Sequence, residues 1–112
     1  MSDHADERLP LRPVEFEILV SLGKGPRHGY AILQAAEERT EAAPGVTTLY
    51  RALQRLHEEG LIAPVDGDAG EDGSREVYAL TPLGRAVGRA EARRLSALLG
   101  RASEGILRQG GG

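Results

Sequence analysis

Cysteine and tryptophan are missing from the 112 residues, and phenylalanine and methionine occur once each. Without cysteine the chain forms no disulfide, thiolate metal site or thiol nucleophile, and its composition suits a reducing cytoplasm. No apolar run approaches the roughly 20 residues of a membrane span. The opening M-S-D-H-A-D-E is polar and acidic, the opposite of a signal peptide. These absences lead us to expect a cytoplasmic protein with no membrane partner. A net positive charge is also lacking: the formal net charge is −3, whereas nucleic-acid-binding modules are often basic. That sum hides an uneven distribution. Residues 65–73 are acidic, whereas the chain beyond Thr81 holds six arginines against two glutamates, so the total describes no single face.

Catalytic signatures are lacking as well. No glycine loop has P-loop or dinucleotide form, and no Ser/His/Asp set stands in a helpful context. The pairs Glu37-Glu38 and Glu58-Glu59 are adjacent on helices and so point in different directions. His28 has no second ligand at metal spacing and reads as a helix-start residue bonded to backbone, and His57 reads as solvated. No enzyme, cofactor or metal site is expected.

What the chain does contain is centred on residues 46–62, V-T-T-L-Y-R-A-L-Q-R-L-H-E-E-G-L-I. Leu49, Leu53 and Leu56 recur at helical spacing with Ala52 beside them, and Gly60 stops the run. At 3.6 residues per turn these share one face, and Thr47, Arg51, Gln54 and Glu58 occupy the other. Thr48 and Arg55 lie on one flank and Tyr50 on the other. A polar face of this kind usually only meets water, so its neighbours decide its meaning.

The size suits a single domain. Residues 1–12 read as a flexible N-terminal arm. Pro13 suits the first position of a helix, Glu15 and Glu17 sit near its positive end, and Val14, Ile18, Leu19 and Leu22 form its stripe. G-K-G-P at residues 23–26 ends it. A second helix is expected from about His28 to Arg39, with Gly29, Ile32, Leu33 and Ala36 inside. Gly29 would let helices approach closely, and Tyr30 would pack on the first helix. The third helix opens at Thr47 after A-A-P-G. Residues 61–65 and 76–80 read as strands of a β-hairpin whose long tip holds three glycines. Thr81 is an N-cap and Pro82 the first residue of a last helix, which continues to about Leu107. Leu83 and Val87 would pack on the domain, and Leu95, Leu98, Leu99, Ala102 and Ile106 form a further apolar stripe. That stripe either folds back on the first helix or marks a partner surface. The expected class is mainly α with a small β-hairpin: a winged helix-turn-helix domain at residues 13–80, a C-terminal dimerisation helix at 81–108, and a disordered tail at 109–112.

With these pieces placed, the sequence resembles the PadR family of bacterial transcriptional regulators. The resemblance rests on Leu19 to Leu22 followed by G-P-R-H-G-Y-A-I (residues 25–32), on T-L-Y-R-A-L-Q-R-L-H-E-E-G-L-I (48–62), and on Y-A-L-T-P-L-G-R-A-V (78–87). It implies a homodimer that binds a partly palindromic double-stranded DNA operator, usually as a repressor, with a small-molecule effector near the dimer interface. The single C-terminal helix is similar to the small-domain subgroup. In two places the chain departs from the family pattern. The second wing strand keeps one Arg and one Tyr (Arg75, Tyr78) and the tip is acidic, and Val46-Thr47 stands where many members have Gly-Thr.

On this reading Arg51 is suited to a bidentate contact with guanine and Gln54 to one with adenine. Thr47, Thr48 and Tyr50 would donate to phosphates, and Arg55 and Arg75 would supply charge. Leu95, Leu98, Leu99, Ala102 and Ile106 would hold the dimer, and Val14, Ile18, Leu95 and Leu99 would line an effector pocket. The alternative is a winged-helix protein-interaction module without DNA binding, which the acidic wing and negative total keep open.

Overall fold

The structure, a computed structural model, describes residues 8–39, 45–65 and 76–108. Their order is α1 (Pro13–Leu22), β1 (Arg27–His28), α2 (Gly29–Arg39), α3 (Val46–Glu58), β2 (Ile62–Pro64), β3 (Val77–Leu80) and α4 (Pro82–Ala102), which widens into a π-type turn at Ser103–Leu107. The chain is mainly helical with a small antiparallel sheet, as the periodicity predicts. The wing tip, residues 1–7 of the arm and the 109–112 tail lie outside the described residues.

The sheet has one strand more than the hairpin. Arg27–His28, expected at the entry to the second helix, pairs instead with Tyr78 and Val77, so β3 is central in the order β1-β3-β2. Pro26 offers no N–H to a helix start, and Arg27 is anchored through Nε to the Ser21 carbonyl at 3.0 Å. Two residues carry no readable alternation. On the other side β2 pairs Ile62 with Leu80 and Pro64 with Tyr78. Pro64 is tolerated there because β2 is an edge strand.

The core is built where α1 meets α2, α3, α4 and β3. Ile18, Leu22, Ile32, Leu49, Leu53 and Leu56 are almost wholly buried in one cluster, each contributing roughly 1.5–3 kcal/mol of apolar burial. Two expectations fail here. Tyr30 is 58% exposed rather than packed on α1, because α2 turns Ile32, Leu33 and Ala36 inward. Residues 8–12 are not loose where described: Leu11 is 7% exposed within the core cluster, and Leu9 packs against it.

α3 ends in a Schellman arrangement. Gly60 takes φ +81°, its N–H reaches the His57 carbonyl at 3.0 Å, and the Leu61 N–H reaches the Leu56 carbonyl at 2.9 Å. The apolar contact that usually accompanies this motif is available, since Leu56 and Leu61 both lie in the core. Leu61 then receives α4. Thr81 caps α4, accepting the Gly84 N–H at 3.0 Å on Oγ1, while its own N–H bonds the Leu61 carbonyl at 3.1 Å. A Cβ at Gly84 would stand 1.9 Å from that carbonyl oxygen. Gly84 thus faces inward, in phase with buried Val87, and Leu83 is turned partly to solvent at 38% exposure rather than packed.

Beyond Glu91 the described part of α4 runs outward. The described chain extends 54 Å along its longest axis. Leu98, Leu99 and Ile106 are 45%, 61% and 73% exposed, with Leu95 and Ala102 half-buried, so this stripe does not fold back on α1. No described helix is long and apolar enough to cross a membrane.

Candidate nucleic-acid interface

α3 presents the face its sequence defines. Leu49, Ala52, Leu53 and Leu56 are buried, and Thr47, Thr48, Arg51 and Gln54 are exposed side by side on the outer surface. Arg51 makes no ion pair among the described residues. Gln54 leans toward Glu58 with Nε2 to Oε2 at 3.5 Å, too long for a strong hydrogen bond, so its amide is available. α3 itself begins at Val46, one residue earlier than predicted, with Gly45 extended at the N-cap.

Tyr50 is half-buried and packs against the start of α2. A Cβ at Gly29 would lie 3.1 Å from its ring and 3.3 Å from Leu53 Cδ1. Gly29 therefore permits the close approach of α2 and α3 that its sequence position suggested, and the Tyr50 ring is set by that packing. Arg75 lies outside the described residues.

Arg55 departs from expectation. Its Nε donates to Glu15 Oε2 at 2.9 Å across to α1, and its side chain is 31% exposed. An arginine expected to offer charge to phosphate is engaged with a buried carboxylate. The four residues expected to line an effector pocket do not meet within one protomer. Ile18 is wholly buried and Val14 half-buried, whereas Leu95 and Leu99 lie on the outward part of α4. Instead, an open apolar cavity of about 210 Å³ lies between α1 and α4, lined by Phe16, Leu19, Val20, Leu80, Gly88 and Ala92.

Two buried carboxylates, Glu15 on α1 and Glu91 on α4, were not singled out from sequence as buried groups. Glu15 Oε1 accepts the Arg12 N–H at 2.9 Å, and its Oε2 accepts Arg8 Nη2 and Arg55 Nε, each at 2.9 Å. Burial pushes this carboxyl up, but the Arg12 N–H and the two guanidinium groups outweigh it and hold the pKa below the ordinary range. Glu91 accepts Arg94 Nε at 2.6 Å and the Leu11 N–H at 3.0 Å. Arg94 lowers its pKa, and the Leu11 N–H assists against the opposing effect of burial. Glu91 had a legible signal, since Gly84, Val87 and Glu91 recur on one helical stripe. Glu15 had a weaker one, the N3 position after Pro13.

Both carboxyls titrate lower when folded than when unfolded. The stability they contribute is whole above the unfolded glutamate value of about 4.3 and is lost as pH falls through their lowered folded values. Thermal melts are expected to show stability falling below about pH 4.3. A Glu91→Gln variant is expected to be less stable near neutrality and to lose less on acidification.

The sequence profile described as the transcriptional regulator PadR-like family matches residues 18–90, from the middle of α1 to the third turn of α4. The chain belongs to the PadR-like family. Among its relatives is an uncharacterized 37.1 kDa protein in transposon Tn4556 of Streptomyces fradiae, 38% identical over 87 residues; the match covers 78% of this chain but only 24% of that protein's length. Among solved structures, a transcriptional regulator from Clostridium thermocellum is 26% identical with a TM-score of 0.69, covering 83% of this chain and 92% of that one. Bacillus subtilis PadR in complex with operator DNA is 25% identical with a TM-score of 0.60, covering 77% of this chain and 48% of that one. The α3 face and the sheet lie inside the matched PadR-like segment. Arg8, Glu15, Glu91 and the apolar stripe of α4 lie outside it.

Proposed function

We propose that this chain is a sequence-specific DNA-binding transcriptional regulator, a homodimeric repressor that reads a partly palindromic operator with α3 in the major groove. The observation that carries this is the outward face of α3, where Thr47, Thr48, Arg51 and Gln54 stand exposed on a helix whose other side is fixed in the core. Membership of a regulator family supports it, as does the likeness to a PadR solved with operator DNA. Arg51 would read guanine and Gln54 adenine. The threonines would hold phosphates, joined by Tyr50. Arg75 would add charge from the wing. The stripe of Leu95, Leu98, Leu99, Ala102 and Ile106 would join two copies, placing half-sites roughly 10 bp apart or a multiple of it. A small-molecule effector would release DNA only through its difference in affinity between two spacings of the reading helices.

Arg51→Ala is expected to cost roughly 1–3 kcal/mol on the preferred site and little on random duplex. Fluorescence anisotropy titrations on both duplexes over a salt series check this. Full sequence preference in Arg51→Ala would remove Arg51 from base reading. Salt-independent or absent binding by the parent would favour an interaction module instead.

A further inference from the structure

We propose that residues 8–11 form a strap that fixes the reading helix α3 relative to the dimer helix α4, with Arg8 as its positioning residue. This rests on the homodimeric DNA-reading function proposed above and adds to it the element that sets half-site spacing.

One end of the strap grips α3. Arg8 Nε donates to Glu59 Oε1 at 2.7 Å at the C-cap of α3, and its Nη2 donates to Glu15 Oε2 at 2.9 Å. Glu15, in the first turn of α1, also takes Arg55 Nε from α3, so one buried carboxylate receives both the strap and the reading helix. The other end grips α4. The Leu11 N–H donates to Glu91 Oε2 at 3.0 Å, and Arg94 fixes both oxygens of that carboxylate at 2.6 and 3.1 Å. Between these ends Leu11 is buried and Leu9 packs on the core. A continuous set of directional bonds thus runs from Arg94 and Glu91 on α4, through residues 8–11, to Glu15, Arg55 and Glu59.

Stability alone is a poor reason for this arrangement. Burying two carboxylates costs more than burying apolar residues of similar size, and the adjoining core of Ile18, Leu19 and Leu22 already holds α1 to its neighbours. Apolar packing is non-directional. A planar guanidinium shared between two carboxylates demands one arrangement of the elements that carry them. In a dimer joined through α4, the α3–α4 angle in each protomer sets the separation and phase of the two reading helices. Each base pair added between half-sites rotates the second by about 35°, so a fixed angle favours one spacing.

The test uses the full chain. It has no cysteine, so Gln54→Cys carries one nitroxide per protomer, and pulsed dipolar spectroscopy reads the distance between the two α3 helices. Arg8→Ala removes both strap contacts to α3 and α1, and Glu59→Gln weakens the outer one at a position whose side chain is 41% exposed. We expect a narrow distance distribution in the parent and a broadened one in both variants. Without the label, discrimination against a spacer one base pair too long or short should fall about fivefold, with base preference inside each half-site unchanged. Lowered melting temperatures with unchanged distributions would overturn the strap and leave Arg8 a stabilising residue only. A parent without dipolar signal would overturn the homodimer and the strap with it. Broadened distributions in a protein that ignores all duplexes would support the strap while refuting DNA reading.

Discussion

Gly84→Ala is expected to destabilise the protein by about 3 kcal/mol or more, from a single added methyl group. The new Cβ would stand 1.9 Å from the Leu61 carbonyl oxygen, and neither side can easily move. Leu61 is held by its N–H bond to Leu56 at 2.9 Å, and its carbonyl accepts from Thr81 at 3.1 Å. Gly84 is fixed by its N–H bond to the Thr81 cap at 3.0 Å. The gain in helix propensity from Gly to Ala, about 1 kcal/mol, is outweighed. Denaturant melts of the variant beside Gly100→Ala provide the control. A Cβ at Gly100 meets nothing within 4 Å, so that substitution is expected to stabilise slightly. Equal stability of the two variants would show that α4 does not sit against Leu61 at this distance.

The second large effect concerns assembly. Replacing Leu98 and Leu99 together by glutamate is expected to leave the protomer folded and to yield a monomer. Both side chains are exposed in the protomer, at 45% and 61%, so the domain core does not depend on them. Two linked reading helices gain from effective concentration what one lacks, and losing the partner should weaken specific operator binding roughly a hundredfold or more. Sedimentation and titration on one operator check both parts. A variant that stays dimeric would move the dimer interface elsewhere, for instance to the cavity between α1 and α4.

The helices and the outward polar face of α3 were legible because those depend on period. Leu49, Leu53 and Leu56 place one side of α3 inside whatever the rest of the chain does, and Thr81-Pro82 marks the start of α4 through local chemistry. The parts that escaped depend on partners distant in sequence. Arg27–His28 became a strand only because β3 lies beside it, and two residues show no alternation. Arg55 looks like a free surface arginine until Glu15, 40 residues away, appears beneath it. Residues 8–12, R-L-P-L-R, follow a polar start and show no helical or strand period, so they read as an arm, yet Leu11 is buried and its N–H bonds Glu91, 80 residues on. Ile18 belongs to the α1 stripe, and periodicity alone does not tell a core stripe from a ligand wall.

The most direct measurement is selection of bound duplexes from a random pool by the parent and by Arg51→Ala. The parent is expected to enrich one two-fold symmetric site, with half-sites about 10 bp or a multiple of it apart. Arg51→Ala is expected to enrich the same site with preference lost at one guanine in each half. Identical enrichment by both proteins, or none by the parent, would contradict a reading helix that addresses DNA through its outward arginine.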